Sequence, residues 1–361
     1  MDTSISRHLM TPVGHQVPWF SFVVHLRSLD DLERWSTTAA MSGADAEERR
    51  KHVLQGPPLL ASTFRFRSNP LTGELIVIPR LPEDIIYGEG PRLIARAVQI
   101  AADRGSRVVG LGGLTAPATR AGTSLLPSLP RGVVLTNGNS FTAVVACANV
   151  LEACEFLGQP HPLVAVIGST GSVGVAASQL LADHDLDLLL IGRSTERARR
   201  GAPKKTDGVR FSDRLADISD ADVVLVLTSD KSARLRPEHF DGSRQRVVID
   251  VAQPSNVPVA GREAFRRRRA LVVRGGWALV PGAISSHAHE SVMTDGDPTA
   301  QPGSAPACLA ETYLFAADGL REHAVGAASP ELARMLQRIA ARRQVKVSPL
   351  ALESPAPHIS R

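Results

Sequence analysis

A chain of 361 residues with 43% hydrophobic and 21% charged residues has the composition of a soluble globular protein long enough for two cores. Its net charge of +5 is carried almost wholly by arginine, since the lysines are Lys51, Lys204, Lys205, Lys231 and Lys346 alone; with 4% aromatic residues and no nucleic-acid motif, nucleic-acid binding is not expected. No apolar run reaches the ~18 residues of a membrane helix and the N-terminus lacks an apolar signal core, so no membrane span and a cytoplasmic location are expected.

Residues 1–18 read as a flexible extension. Phe20, Phe22, Val24 and Leu26 alternate with polar residues as a strand does, which makes His25 a structural strand residue. Ser28 and Asp31 form a capping-box start for a helix carrying Leu29, Leu32 and Trp35. A charged helical stretch follows over 44–54. The runs 63–67 and 75–78 flank Asn69-Pro70-Leu71-Thr72-Gly73 and predict a hairpin.

Pro91 opens a helix that Gly105 closes, and residues 107–111 make a strand running into Gly112-Gly113-Leu114-Thr115. Val133, Val134 and Leu135 likewise lead into Thr136-Asn137-Gly138-Asn139, after which Ser140 caps a helix from Phe141 to Leu157. Cys147 and Cys154 share the apolar face of that helix and read as core residues. Strand ends are where α/β sheets place ligands, so Thr115, Thr136, Asn137 and Asn139 are candidate substrate-binding residues.

The strongest motif lies between Leu163 and Arg193. Leu163 to Ile167 is an unbroken apolar run, as in a parallel strand buried on both faces. It ends in Gly168-Ser169-Thr170-Gly171-Ser172-Val173-Gly174, a glycine turn opening a helix, and Leu188 to Ile191 supplies the next strand. Missing side chains let backbone N–H groups approach a pyrophosphate at the positive end of a helix, so this turn is expected to bind a dinucleotide. After the second strand an NAD site would place an acidic residue on the ribose 2′-hydroxyl; this chain has Arg193 and Ser194, which suit a 2′-phosphate and point to NADPH. Further strands at 221–228, 246–251 and 271–273 continue a doubly wound parallel sheet, the last ending at a Gly275-Gly276 turn also expected near the cofactor.

The fold class expected is therefore α/β, with an N-terminal α/β substrate domain over 19–158 and a Rossmann-type NADP domain over 159–283. Residues 284–345 are expected to form a loop or lid and C-terminal helices, and 346–361 a disordered tail. His287 and His289 have no second ligand pair, so no metal site is predicted. Cys147, Cys154 and Cys308 indicate neither a disulfide framework nor a zinc site.

Pro306 at a helix start puts Cys308 in the first turn. Unpaired N–H groups and the helix dipole there favour thiolate, which makes Cys308 a candidate nucleophile; Glu311, one turn on, is a candidate either to take the thiol proton or to orient the first turn, although as an anion it would oppose the thiolate. An inert core cysteine is the alternative.

Seven segments in register resemble the aldehyde-forming long-chain acyl-[acyl carrier protein] reductases: VVHLRSLDDL (23–32), LGGLT (111–115), TNGNSFTA (136–143), GSTGSVG (168–174), VVIDVAQPSN (247–256), RGGWALVPG (274–282) and ACLAET (307–312). The resemblance implies that Cys308 accepts an acyl group from a thioester on an acidic acyl or peptidyl carrier protein, with Glu311 as the motif acid, and that NADPH reduces the enzyme thioester to an aldehyde. Asn137 stands where that family has threonine, and the polar stretch between Pro281 and Ala307 is longer than the family's, which leaves a long fatty acyl group and a shorter, polar or aminoacyl group both open as the substrate. The alternatives are a shikimate- or quinate-like NADP alcohol dehydrogenase, whose chemistry asks for a Lys/Asp pair where this chain offers only Lys51 before residue 200, and a non-catalytic NADP sensor.

Overall fold

The computed structural model describes residues 19–29, 31–32, 46–66, 69–204, 207–228, 230–284 and 303–352. The expected N-terminal extension, the helix through Trp35, the segment with His287 and His289, and the chain after 352 lie outside them. Two compact units are formed, one of residues 1–138, 280–326 and 342–345, the other of residues 139–279, 327–341 and 346–361.

The first unit is built on the strands β1 (Phe20–His25), β2 (Leu59–Phe66), β3 (Asn69–Ile78), β4 (Val108–Leu111) and β5 (Val134–Thr136). β1 lies between β3 and β4 and parallel to both, and β5 continues the parallel run beside β4. The predicted hairpin is β2 and β3, which pair antiparallel. One core of this sheet joins Val23, Ile76, Ile78, Val109, Leu111 and Leu135 to Leu93, Ile94, Ala97, Val98 and Ala101 from the helix Gly90–Asp103. Those helix positions recur at intervals of three and four, so one stripe is buried, and each large aliphatic side chain so buried contributes about 1.5–3 kcal/mol. The helix Ala307–Asp318 packs on β1, β3 and β4.

The second unit carries β6 (Leu163–Ile167), β7 (Asp187–Ile191), β8 (Val209–Ser212), β9 (Val223–Val226), β10 (Arg246–Asp250) and β11 (Ala270–Arg274), all parallel, in the spatial order β11-β10-β9-β6-β7-β8. This is the doubly wound order of a Rossmann-type sheet, with its topological switch point between β6 and β9. The expected α/β class with a Rossmann-type parallel-sheet domain is thus what the chain forms. Every residue of β6, β9 and β10 is buried, which accounts for the continuous apolar runs.

The division between the units falls earlier than the sequence suggests. Asn139–Leu157 is 19 residues with a mean hydropathy of 1.4, enough by length and composition to cross a membrane, yet it is a core helix that packs on β9, β10 and the helix Ser172–Leu181. Residues 280–284 and 303–326 join the first unit. At the start of the tail, Lys346–Val347 pairs antiparallel with β12 (Trp277–Leu279), so order extends beyond residue 345.

Candidate active site

The C-terminal ends of β1, β4 and β5 carry a compact polar cluster in the first unit. His25, the last residue of β1, donates from Nδ1 to the Leu26 carbonyl at 2.6 Å and accepts the Leu114 N–H on Nε2 at 3.0 Å. That pattern fixes a neutral ring, and burial lowers its pKa further than the Leu26 hydrogen bond and Asp31 raise it. His25 thereby holds the loop after β4, and in that loop the Gly113 N–H reaches the sulfur of Cys308. Thr115 is spent within the loop, donating to Gly112 at 2.8 Å with no exposed surface.

Thr136, at the end of β5, donates its hydroxyl to a carboxylate oxygen of Glu311 and accepts the Gly138 N–H at 3.2 Å. Both side chains are fully buried. The Asn137 amide donates to the carbonyls of Ala121 at 3.1 Å and Gly326 at 3.0 Å, tying the loop after β5 to two other segments. Thr115, Thr136 and Asn137, expected on the sequence to meet substrate, are thus engaged with the protein itself.

Cys308 is half-buried in the first turn of Ala307–Asp318. The N–H groups of Leu309, Cys308 and Gly113 do draw the thiol pKa down, as a helix start should, but burial outweighs them and the Glu311 charge opposes them. The net effect pushes the thiol up to about 12, which reverses the activated thiolate expected from sequence. At neutral pH this is a protonated group that can donate a hydrogen bond, not a ready nucleophile. Cys147 and Cys154 are likewise pushed up to about 12 by burial, as core cysteines should be.

In the second unit the turn after β6 has the features a dinucleotide needs. Gly168 adopts a φ of +87°, and a Cβ on Gly174 would lie 2.2 Å from the Gly168 carbonyl oxygen, so the turn closes directly on the helix Ser172–Leu181. A Cβ on Gly171 would meet only that carbonyl oxygen, at 3.3 Å, leaving its outer side open for phosphate. Ser169 turns inward and donates to Ile191 at 3.0 Å, while Thr170 and Val173 are half-buried around the turn. Arg193 is exposed just past β7, and Ser194 accepts the Arg197 N–H as the cap of Thr195–Arg200. Asn139 belongs here as well: its amide donates to the Ser172 hydroxyl at 3.0 Å.

Three residues that the sequence did not single out as candidates shape the rim. Asn149, fully buried on the core helix, accepts the Gly276 N–H at 3.0 Å and so fixes the Gly275-Gly276 turn. Asp250 gathers its loop by accepting from Ala252, Ser255 and Val257. Asn256 then staples the loop after β9 through Leu235 at 2.9 Å and Ala233 at 3.1 Å. An amide inside an apolar helix face was the available signal for Asn149; nothing local in the sequence marks Asn256.

The family model of shikimate/quinate 5-dehydrogenases matches residues 159–265, the body of the second unit. Among solved structures, shikimate dehydrogenase from Aquifex aeolicus is 10% identical, covering 89% of this chain and 98% of its own with a TM-score of 0.40. The Thermus thermophilus shikimate 5-dehydrogenase, solved with NADP(H) and shikimate, is 14% identical over 89% of this chain and 99% of its own, with a TM-score of 0.36. A thermostable alcohol dehydrogenase from Pyrobaculum aerophilum is 21% identical over 37% of this chain and 40% of its own length, with a TM-score of 0.27.

The resemblance to acyl-[acyl carrier protein] reductases is overturned by the family match, which falls on the shikimate/quinate dehydrogenases, and with it the reduction of an acyl thioester through a Cys308 acyl-enzyme. The protonated state of the Cys308 thiol is the physical counterpart of that correction. What stands is a Rossmann-type parallel-sheet domain, the part of the chain on which the dehydrogenase model falls, and the expected cofactor, NADPH, agrees with that match.

Proposed function

We propose that this protein is an NADP(H)-dependent dehydrogenase of the shikimate/quinate type, interconverting a hydroxyl and a carbonyl on a small hydroxylated substrate. The observation that carries this reading is the coincidence of the family match over 159–265 with a parallel sheet in Rossmann order and an open glycine turn at its switch point. Bound at that turn, the nicotinamide cofactor supplies hydride acceptance and donation.

The protein's own part is to bind, orient and handle a proton. The turn from Gly168 to Gly174 offers backbone N–H groups to phosphate, and Arg193 with Ser194 offers a cation and a hydroxyl to the 2′-phosphate. Asn149 and Asp250 hold the loops after β11 and β10. In the first unit the Cys308 thiol is the half-buried, protonated member of a polar cluster otherwise buried, and Glu311 with Thr136 lies behind it. Lys51 takes no part in that cluster: it is exposed and pairs with Glu47 at 3.0 Å. The proton that leaves with alcohol oxidation therefore needs a carrier other than Lys51.

Initial-rate assays with NADP⁺ and NAD⁺ against shikimate, quinate and a panel of hydroxylated ring and open-chain acids test the reading. NADP⁺-dependent oxidation of at least one alcohol supports it. NADPH binding without turnover on any alcohol or ketone overturns the enzymatic reading in favour of an NADP sensor, for which the place of Lys51 outside the cluster, paired with Glu47, is the specific structural argument.

A further inference from the structure

A single exposed apolar side chain means little by itself, but one on a rigid corner and ringed by charge of one sign has the make-up of an interface, an apolar centre inside a polar rim. Among the described residues the two most exposed large hydrophobic side chains are Tyr87, at 88%, and Val259, at 74%. They belong to different units, and their surroundings are opposite in sign.

Tyr87 ends the helix Pro82–Tyr87. Residues 82–91 hold three acids, Glu83, Asp84 and Glu89, all exposed, and no base. The corner is stiff. Buried Ile85 anchors it, the Gly88 N–H donates to the Asp84 carbonyl at 3.2 Å, and a Cβ on Gly90 would run into the Ile85 carbonyl.

Val259 opens the turn Val259–Gly261, which leads into the helix Arg262–Arg266. Residues 258–269 hold five arginines against one acid, Glu263, so most of the chain's net charge of +5 gathers on this short segment. All four residues from Arg266 to Arg269 are exposed. This corner is stiff as well: the Gly261 N–H donates to Pro258 and the Arg268 N–H to Phe265, each at 2.9 Å, and buried Phe265 packs on Phe240 with ring centroids 6.0 Å apart. Arg269 has a φ of +54°, where glycine or asparagine is easier to place, so the charge there is held at a conformational cost.

These charges are open to a partner. Glu89 pairs with Arg92 at 2.7 Å and Arg267 with Glu263 at 3.8 Å, but ion pairs between exposed groups are weak and readily exchanged. Asp84, Arg268 and Arg269 make no ion pair among the described residues. A guanidinium can take a carboxylate bidentately or stack on an aromatic face, so arginines suit both Asp84 and the Tyr87 ring.

We propose that the occupant of these corners is a second copy of this chain, the Tyr87 corner of one copy docking on the Val259 and Arg268–Arg269 corner of another. Both complementary surfaces are carried by the one molecule, which favours self-association over a foreign acidic protein. A bilayer is disfavoured because residues 258–269 expose no aromatic ring, Phe265 being buried.

Sedimentation velocity of the full chain over a range of concentrations, at low and at high salt, tests this. The parent should self-associate, and less so as salt rises. Asp84→Lys with Glu89→Lys should weaken association about tenfold or more, as should Arg268→Glu with Arg269→Glu, and Tyr87→Ala, which removes an exposed side chain, should do the same. When the two charge-reversed chains are mixed, association should return, since one contact is then native and the other has both signs exchanged; misfolding gives no such recovery. A parent that is monomeric at every concentration, association that either reversal leaves intact, or reversed chains that stay apart when mixed overturns the proposal. In the first case, binding of a glutamate-rich peptide that Arg268→Glu with Arg269→Glu abolishes would give the arginine corner to a different acidic protein.

Discussion

A Cβ built on Gly138 would lie 2.2 Å from the Cβ of Cys308 and 2.6 Å from its Cα. The loop after β5 and the first turn of Ala307–Asp318 are therefore in direct backbone contact, and Gly138 also has a φ of +75°, where an L side chain is strained. Gly138→Ala meets both penalties at once and should cost about 3 kcal/mol or more. Truncating Cys308 to alanine keeps the Cβ that clashes, so the double variant should be no more stable than Gly138→Ala. Urea denaturation checks this, and a loss below about 1 kcal/mol would mean that the two segments are not so closely apposed.

The same contact helps bury the thiol, and burial governs its chemistry. With Cys308 pushed up to about 12 from an ordinary value of 9.0, its thiolate population near pH 8 falls on the order of a thousandfold, and Cys147 and Cys154 follow for the same reason. Iodoacetamide labelling followed by mass spectrometry should show all three thiols alkylated far more slowly in the native chain than in urea. Linkage gives a second readout. These groups hold their protons more tightly when folded, so their contribution is fully present below about pH 9 and is lost as pH rises toward 12. The urea midpoint should fall above pH 9, and less steeply in Cys147→Ala. Rapid labelling of Cys308 in the native chain at pH 7 would restore the case for an activated nucleophile.

How far the sequence speaks can be seen in these residues. The strand Leu163–Ile167, the turn that follows and the long helix after Asn137 all announce themselves by local pattern, because a doubly buried strand must be continuously apolar and a turn closing on its own helix must lack side chains. What local pattern does not hold is the balance of long-range terms. A cysteine in a first turn has the donors that lower its pKa, but whether it is also buried depends on Gly138, 170 positions earlier in the chain, and on the loop that His25 holds. Asn139 likewise sits in a motif with Asn137, yet Asn137 is bound to Ala121 and Gly326 whereas Asn139 reaches Ser172, since one residue of a helix start redirects the side chain. The family that the seven segments suggested was also not the one that matched over 159–265.

His25 offers a prediction on the acid side. Its ring is neutral in the fold, donating to Leu26 and accepting from Leu114, and burial holds its pKa below the ordinary 6.5, with Arg27 adding to that and Asp31 opposing it. A depressed pKa means that the unfolded chain takes up the proton first. The contribution is therefore present above pH 6.5 and is lost as pH falls through the folded value. Between pH 7.5 and 5 the parent should lose more stability than His25→Gln, which cannot titrate. Equal pH slopes for the two chains would show that His25 is not the group responsible.

Arg193 makes the sharpest test of cofactor choice. It follows β7 at the position where an acidic residue would bind a ribose 2′-hydroxyl, and it is exposed, with the Asp230 carboxylate of the loop after β9 near enough to feel its charge. Asp230 is occupied, since it accepts both the backbone N–H and the hydroxyl of Ser232, at 2.9 Å and 2.7 Å. Arg193 is thus available to a doubly charged 2′-phosphate, a far stronger partner than one shared carboxylate. Arg193→Ala should weaken NADPH about tenfold and leave NADH within about twofold, because only the former carries the phosphate; the effect should shrink as salt rises, as expected for an exposed charge pair. Equal weakening of both cofactors would place Arg193 in the shape of the loop instead, and no weakening of either would overturn its assignment to the 2′-phosphate.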